Sequence, residues 1–432
     1  MADIEYVRTE MLDEQLPPGS TVGIIGWLRA NLFSSWVNAA LTILAAYFIF
    51  SVLNGVLPWI FRSSWTADSL HGCRAAIAAA YGEHVDGACW AVIRERYLQL
   101  LYGFYPAELY WRINLAFVGL LVALAPVLFA GLPRKLLWFS AVAPFLIFWL
   151  LWGGSIWMPM VAIGGFAAGA AAFVVLDRTA GSLMGTIGAF LAPVLWWVLL
   201  AGPVANGLNN IVPIGIEAVE SARFGGFMLS VTIGVTGIAL SLPIGIVLAL
   251  GRQSNLWFLK SICVGFIEFI RGVPLITLLF VASTLLNIFL PPGTNFDIIL
   301  RVMIMVTLFS SAYMAEVIRG GLAALPRGQY EAADSLGLDY WKAQRLIIMP
   351  QALKISIPAI VGNFIGLFKD TTLVSIIGLL DPLGLTQGIR ANQEWNGILW
   401  ELYGFIALMF FIFCFSMGRY SMYLERKLKT GH

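Results

Sequence analysis

Charge is scarce in this sequence. Its 26 basic and 24 acidic residues make up 12% of 432, against about 25% in an ordinary soluble domain. With 59% hydrophobic residues and a mean hydropathy of +0.84, it holds more apolar side chain than one aqueous core can hide, which excludes a soluble enzyme. The net charge of +2 is nearly balanced and no basic block occurs, which excludes nucleic acid as a partner and a disordered chain as a class. A Gly-x-x-x-x-Gly-Lys-Ser/Thr phosphate loop is missing, so the chain is not expected to bind and hydrolyse ATP alone. The three histidines, His71, His84 and His432, lie outside the apolar runs. No Ser/His/Asp or metal-ligand set sits within those runs, which argues against a membrane-embedded enzyme. Internal repeats and low-complexity tracts are also missing.

What the sequence has is long runs with little or no charge, at residues 30–61, 113–133, 136–176, 179–216, 224–251, 272–296, 302–315, 346–368 (interrupted only by Lys354) and 402–418. A helix needs about 20 apolar residues to cross a hydrocarbon core about 30 Å thick. The run 136–176 is therefore too long for one helix, and Gly153-Gly154-Ser155 divides it. The run 302–315 is short and borrows its flanks, with Arg301 expected to snorkel toward the surface. The fold class expected is an all-α polytopic membrane protein with about ten transmembrane helices. Continuous rather than alternating apolarity excludes a β-barrel.

Lys and Arg in the short loops set the orientation. Placing Arg134-Lys135, Arg178, Arg252, Lys260, the segment 319–345 and the tail residues Arg419, Arg426, Lys427 and Lys429 on the cytoplasmic side lets every span alternate. Both termini are then cytoplasmic. The loop 61–112, whose five basic and five acidic residues cancel, is external. The acidic start (Asp3, Glu5, Glu10, Asp13, Glu14) argues against a cleavable signal peptide, so the first span is expected to serve as the targeting signal. Residues 23–32 are expected to lie along the inner membrane surface as an amphipathic helix.

Of four cysteines, Cys263 and Cys414 fall in apolar stretches and read as packing residues. Cys73 and Cys89 both fall in the external loop, where an oxidising compartment favours a disulfide. A metal site made with His71 and His84 is the alternative, but no zinc-type pairing repeats. The organisation expected is a cytoplasmic segment 1–35, an N-terminal transmembrane region 36–205, a periplasmic linker 206–223 within the polar stretch 201–223, and a core 224–429 with a loop segment 317–350.

The most informative stretch lies in that segment: Glu331-Ala332-Ala333, three residues, Gly337, nine residues, then Ile347-Ile348-Met349-Pro350. Pro326–Gly328 is expected to end the preceding segment, and Glu331 to open a short helix where an acidic residue suits the dipole. Gly337 supplies a left-handed C-terminal position, Asp339 caps a second helix, and Pro350 lies near the start of the next span. Small Ala332 and Ala333 would let another protein's surface come close. Taken alone, these residues also fit an ordinary polar loop.

This pattern resembles the EAA loop of permease subunits of bacterial ABC importers, with Met349 where Leu is usual. Three further stretches resemble polar amino-acid permeases: Glu268-Phe269-Ile270-Arg271-Gly272-Val273-Pro274-Leu275, Tyr313-Met314-Ala315-Glu316-Val317-Ile318-Arg319-Gly320-Gly321, and Lys369-Asp370-Thr371-Thr372-Leu373. The N-terminal part, with Leu16-Pro17-Pro18, residues 27–33 and Gly87-Ala88-Cys89-Trp90, is similar to the long permease subunit of general L-amino-acid importers. The resemblance implies a five-helix permease core in a bacterial inner membrane, importing amino acids of the glutamate, glutamine and aspartate type. It also implies ATPase subunits docked on the loop through Glu331, Ala332, Ala333, Gly337 and Pro350, with ATP and Mg used there and no cofactor in this chain. A second permease, different or identical, and a periplasmic amino-acid-binding protein complete the implied assembly.

Lys369 and Asp370 interrupt an otherwise apolar stretch, which is costly unless they pair or face water. They are candidates for the translocation path, with Asn363, Thr371 and Thr372 as neutral partners; a structural ion pair at a helix end is the competing reading. Glu268 with Arg271, and Glu316 with Arg319, have the spacing of intrahelical ion pairs. Pro243 and Pro274 are expected to kink their helices. An ion-coupled secondary transporter is the functional alternative; it would carry an inverted repeat and intramembrane carboxylates, of which only Asp370 is present.

Overall fold

The computed structural model describes residues 22–285 and 297–428; the acidic start, Leu16-Pro17-Pro18, Lys429 and His432 lie outside them. Nine described helical segments are long and apolar enough to span a membrane. A tenth arises if α11 (Trp257–Gly272) and α12 (Leu275–Phe280), bent by 102° across Val273-Pro274, form one broken span. The bend falls where Pro274 has no N–H to give the helix. Pro243, by contrast, sits inside α10 (Gly226–Gln253), which runs on without a break.

By its contacts the chain divides into two units at Ala91/Val92, not at the stretch expected to be a linker. The first unit holds α1 (Gly23–Asn31), α2 (Trp36–Phe61) and α3 (Leu70–Tyr81). Ser35 and Ser69 cap α2 and α3 by accepting from the N–H groups of Asn38 and Gly72. No residue of α2 is buried by the described chain. Cys73 and Cys89 are disulfide-bonded, which decides between the two readings of that pair, and no group of metal-ligating side chains occurs among the described residues.

The second unit begins with α4 (Ala91–Tyr102) and continues through α5 (Tyr110–Leu128), α6 (Leu137–Trp152), α7 (Trp157–Ala180), α8 (Ser182–Leu195) and α9 (Ala201–Ile211) to α10. Gly153 and Gly154 separate α6 from α7, as expected. The polar stretch 201–223 differs from expectation: a π turn at Trp196–Leu200 carries α8 into α9, so the chain stays helical to Ile211. Asn209 and Asn210 fall in the last turn of α9, half-buried and exposed, where a polar side chain is not forced into an apolar interior. Only the residues after Ile211 are irregular. They include the strand β2 (Gly215–Ile216), which pairs antiparallel with β1 (Gly154–Ser155) and ties the 212–225 connection to the α6–α7 turn.

After α12 come α13 (Ile298–Ala323), α14 (Arg327–Ser335), α15 (Tyr340–Ala343), α16 (Met349–Asp370), α17 (Pro382–Ala391) and α18 (Trp400–Leu428). Asp297 caps α13 by accepting from Ile299 and Leu300. Gly237 and Gly245 of α10 lie against Val306 and Met314 of α13, the small-residue approach expected between membrane helices. Arg301 does not snorkel. It is buried in the unit and donates to the carbonyls of Ala282 and Ser283, covering backbone acceptors near the end of the broken span.

Candidate functional site

The loop between α13 and α16 is assembled by local rules. Pro326, extended at φ −60° and ψ 139°, precedes α14, which starts at Arg327. Residues 326–328 therefore open this helix instead of ending the previous segment. Glu331 consequently falls in the second turn and loses the first-turn dipole advantage expected for it. At the other end the N–H of Leu338 donates to Ala333 O (3.2 Å) and that of Gly337 to Asp334 O (2.9 Å). These are the paired bonds of a Schellman cap, and Gly337 sits at its left-handed position with φ +66°. An added Cβ at Gly337 meets nothing within 4 Å, so conformation, not space, requires glycine there.

Asp339 caps α15 as expected, accepting from the Lys342 N–H at 2.9 Å. That bond, and the Lys342 ammonium 3.0 Å away, hold the carboxyl below the usual aspartate range. A π turn at Gln344–Ile348 then joins α15 to α16, with Pro350 in the first turn of α16. Gln351 donates to Gln329 Oε1 at 2.9 Å, linking the start of α16 back to α14. Leu325, Ile348 and Ala352 are buried with Met314 and Ile318 of α13, and Tyr330 packs against them. The loop is thus seated on two spans.

Its outer surface mixes charged side chains such as Glu331, Asp334 and Lys342 with large apolar ones. Leu336 is 72% exposed, Trp341 70%, Leu346 64% and Tyr340 52%, among charged neighbours. Tyr340 and Trp341 touch ring to ring at 5.3 Å, and exposed side chains of this kind are covered in a working protein by lipid or by a docked partner. Ala332 belongs to the exposed side, whereas Ala333 is buried and helps seat the helix rather than meet a partner. Sequence reasoning passed over Leu336, Trp341 and Leu346; the signal was bulky apolar residues beside Gly337 and Asp339, where a solvated loop would be polar.

Near the same end, the two expected intrahelical pairs prove to be parts of one network across α10, α11 and α13. Glu316 faces Arg319, Arg252 (3.1 Å) and Arg271 (3.6 Å). Arg252 also reaches Glu268 at 3.0 Å, closer than the 3.9 Å between Glu268 and Arg271. The Arg271 guanidinium lies 5.8 Å from the Tyr313 ring. Three arginines share two carboxylates, and Arg252, distant in sequence, could not be assigned by helical spacing.

At the opposite end of the unit, Lys369 and Asp370 close α16, Lys369 exposed and Asp370 half-buried. Thr371 does not join them. It is fully buried and its hydroxyl donates to Phe368 O at 2.7 Å. Thr372 donates to Lys369 O at 2.9 Å and half-buried Asn363 to Ala359 O at 3.0 Å. Phe368 packs among Phe227, Phe410 and Phe413, fixing this helix end. Asp381, just beyond, is fully buried as the cap of α17, and burial raises its pKa to about 6.

Residues 241–430 match the family described as binding-protein-dependent transport system inner membrane component. Over 433 aligned residues, covering all of both chains, the sequence is 57% identical to the glutamate/glutamine/aspartate/asparagine transport system permease protein BztC of Rhodobacter capsulatus. It is 41% identical to the inner membrane amino-acid ABC transporter permease protein YhdY of Escherichia coli, across 94% of this chain and 93% of that one. The probable glutamine ABC transporter permease protein GlnP of Bacillus subtilis is 31% identical over 216 residues, 49% of this chain but 97% of its own length. Identity over 93% or more of two such permeases and the family match over residues 241–430 agree: the chain belongs to the inner-membrane permease family of ABC amino-acid transporters.

Proposed function

We propose that this chain is one permease subunit of an ATP-driven importer for glutamate, glutamine, aspartate and asparagine. The observation that carries the substrate class is the 57% identity, end to end, to a permease named for those four amino acids. Family membership leaves the ion-coupled alternative without support. In the proposed assembly a second permease, of the same or another sequence, completes the pore, and a periplasmic binding protein delivers the substrate. Two ATPase subunits use ATP and Mg; one of them seats Leu336, Tyr340 and Trp341 of this chain in a cleft.

The orientation proposed places both termini and the 324–339 loop in the cytoplasm. It puts the Cys73–Cys89 disulfide in the periplasm, where it is chemically stable. Lys369 and Asp370 line the substrate's route, the ammonium pairing with a carboxylate of the amino acid and the aspartate with its ammonium. ATP-driven closure of the ATPases pushes α14; the Gln329–Gln351 bond and the π turn pass that displacement into α16, which ends at Lys369 and Asp370.

The test is reconstitution of the chain with its ATPase, second permease and binding protein in proteoliposomes, using labelled amino acids. ATP-dependent uptake of the four amidic and acidic substrates is expected, with a sharp loss in Lys369→Met. Uptake that needs no ATP and follows an ion gradient would overturn the proposal.

A further inference from the structure

Residues 92–105 belong by sequence to the external loop, yet they are built into the end of the core unit where Lys369 and Asp370 lie. Val92, Ile93 and Leu100 of α4 are buried. The C-terminal end of α4 meets the start of α10 backbone to backbone. Gly103 has φ +66°, and a Cβ there would lie 2.4 Å from the Gly225 Cα; a Cβ on Gly226 would lie 2.6 Å from Leu100 O. The middle of α4 is fixed to the segment after α17. Trp395, fully buried, donates its indole N–H to Glu95 at 3.1 Å, while Arg96 bridges Glu95 (2.9 Å) and Glu394 (3.7 Å).

The two parts that α4 joins also touch directly, since the Gly226 N–H donates to Leu380 O at 2.8 Å. The start of α10, Leu380, α17, Trp395 and α4 therefore form a closed ring of contacts. Opening it would expose a buried indole and leave the Glu95 carboxylate and the Trp395 N–H without each other. The family match begins at residue 241, so α4 lies outside it.

We propose that α4 is a strap that keeps the start of α10 and the segment 380–395 together as one rigid body throughout transport. Access at this end then changes by movement against the second permease and not by opening within this chain. The inference rests on reading the chain as a moving part of an ATP-driven importer. It assigns the N-terminal extension a mechanical task at the pore.

Spin labels at Tyr97→Cys on α4 and Gln393→Cys beside Trp395, both exposed sites, test it in the full complex. The background is Cys414→Ser, which leaves Cys263 buried. The distance distribution is expected to stay within about 2 Å between the resting and ATP-trapped states, and a second population longer by about 5 Å, the scale of a one-turn shift, would overturn the strap. Uptake by the unlabelled complex separates the two readings. ATP-dependent uptake with a changed distance removes the strap alone, whereas no ATP-dependent uptake removes the importer reading and the strap with it.

Discussion

The two ends of the core unit close on themselves to different degrees. At the strapped end, Gly226 pairs with Leu380 and Trp395 with Glu95 within the chain, and Trp395 and Asp381 are fully buried. At the loop end, Leu336, Trp341 and Leu346 stand more than 60% exposed, and the ion network leaves three arginines sharing two carboxylates. The first end is a finished piece of structure, and the second is the end that the proposed assembly would complete with an ATPase. This is the division a transmission needs: a surface that another protein can push, and a rigid frame against which the push becomes rotation.

The largest effect that would sharpen the contrast is expected at Gly337. Gly337→Asp places a side chain in a left-handed conformation, at about 1–2 kcal/mol, and adds a carboxylate to the proposed docking surface. Uptake should fall by more than about tenfold, the factor that 1.4 kcal/mol represents, while the subunit still inserts and the ATPase no longer co-purifies. Normal uptake would remove the loop from the mechanism.

Asp381 probes the strapped end. Its folded pKa, about 6, lies above the unfolded value of 3.8 because burial disfavours the charge. For a group shifted upward, the stabilising contribution is full below the unfolded pKa and is lost as pH rises through 6. The protein should therefore melt at lower temperature at pH 8 than at pH 5. Asp381→Asn, which keeps a capping oxygen and cannot ionise, should flatten that difference, worth about 1.4 kcal/mol between pH 5 and pH 8. A pH-independent wild-type Tm would show that the cap is not buried in the working protein.

Glu316→Gln tests the loop end. Removing the hub carboxylate leaves Arg252, Arg271 and Arg319 facing one another at 22% exposure of the glutamate side chain; a loss of about 2 kcal/mol is expected, less than for a fully buried pair. Glu268→Gln, at 54% exposure, should cost less than about 1 kcal/mol. Equal Tm shifts for the two would mean that the network has no hub.

These contrasts were unevenly legible in the sequence. The spans, the Gly153-Gly154 break, the Asp339 cap and the left-handed Gly337 follow from local rules and could be read directly. The strap could not, because Glu95 and Trp395 are 300 residues apart and nothing in a helical or strand period links them. Arg252 escaped for the same reason, since spacing finds partners on one helix and not across three. Thr371 was misplaced because a hydroxyl in an apolar stretch suggests a polar lining, whereas a helix carbonyl can satisfy it privately, as Phe368 does here. The segment 201–211 reads as linker by composition; its helical form follows from continuity with α8.

The coupling between Trp395 and Glu95, about 1 kcal/mol for one net hydrogen bond, bears most directly on the strap. Trp395→Phe keeps an aromatic ring but removes both the N–H that Glu95 accepts and part of the buried indole, so the loss in stability should be about 2–3 kcal/mol, the hydrogen bond plus the cavity left behind. Glu95→Gln keeps an acceptor and should cost less. Combining Trp395→Phe with Glu95→Ala, which removes the acceptor, should cost less than the sum of the two, because either change alone already breaks the pair, and the shortfall measures the coupling. If the two costs simply add, Glu95 and Trp395 do not hold α4 down. The strapped end would then be closed by the Gly103–Gly225 crossing and the partly exposed Arg96–Glu394 pair, contacts weak enough to let α4 pivot about its own C-terminus.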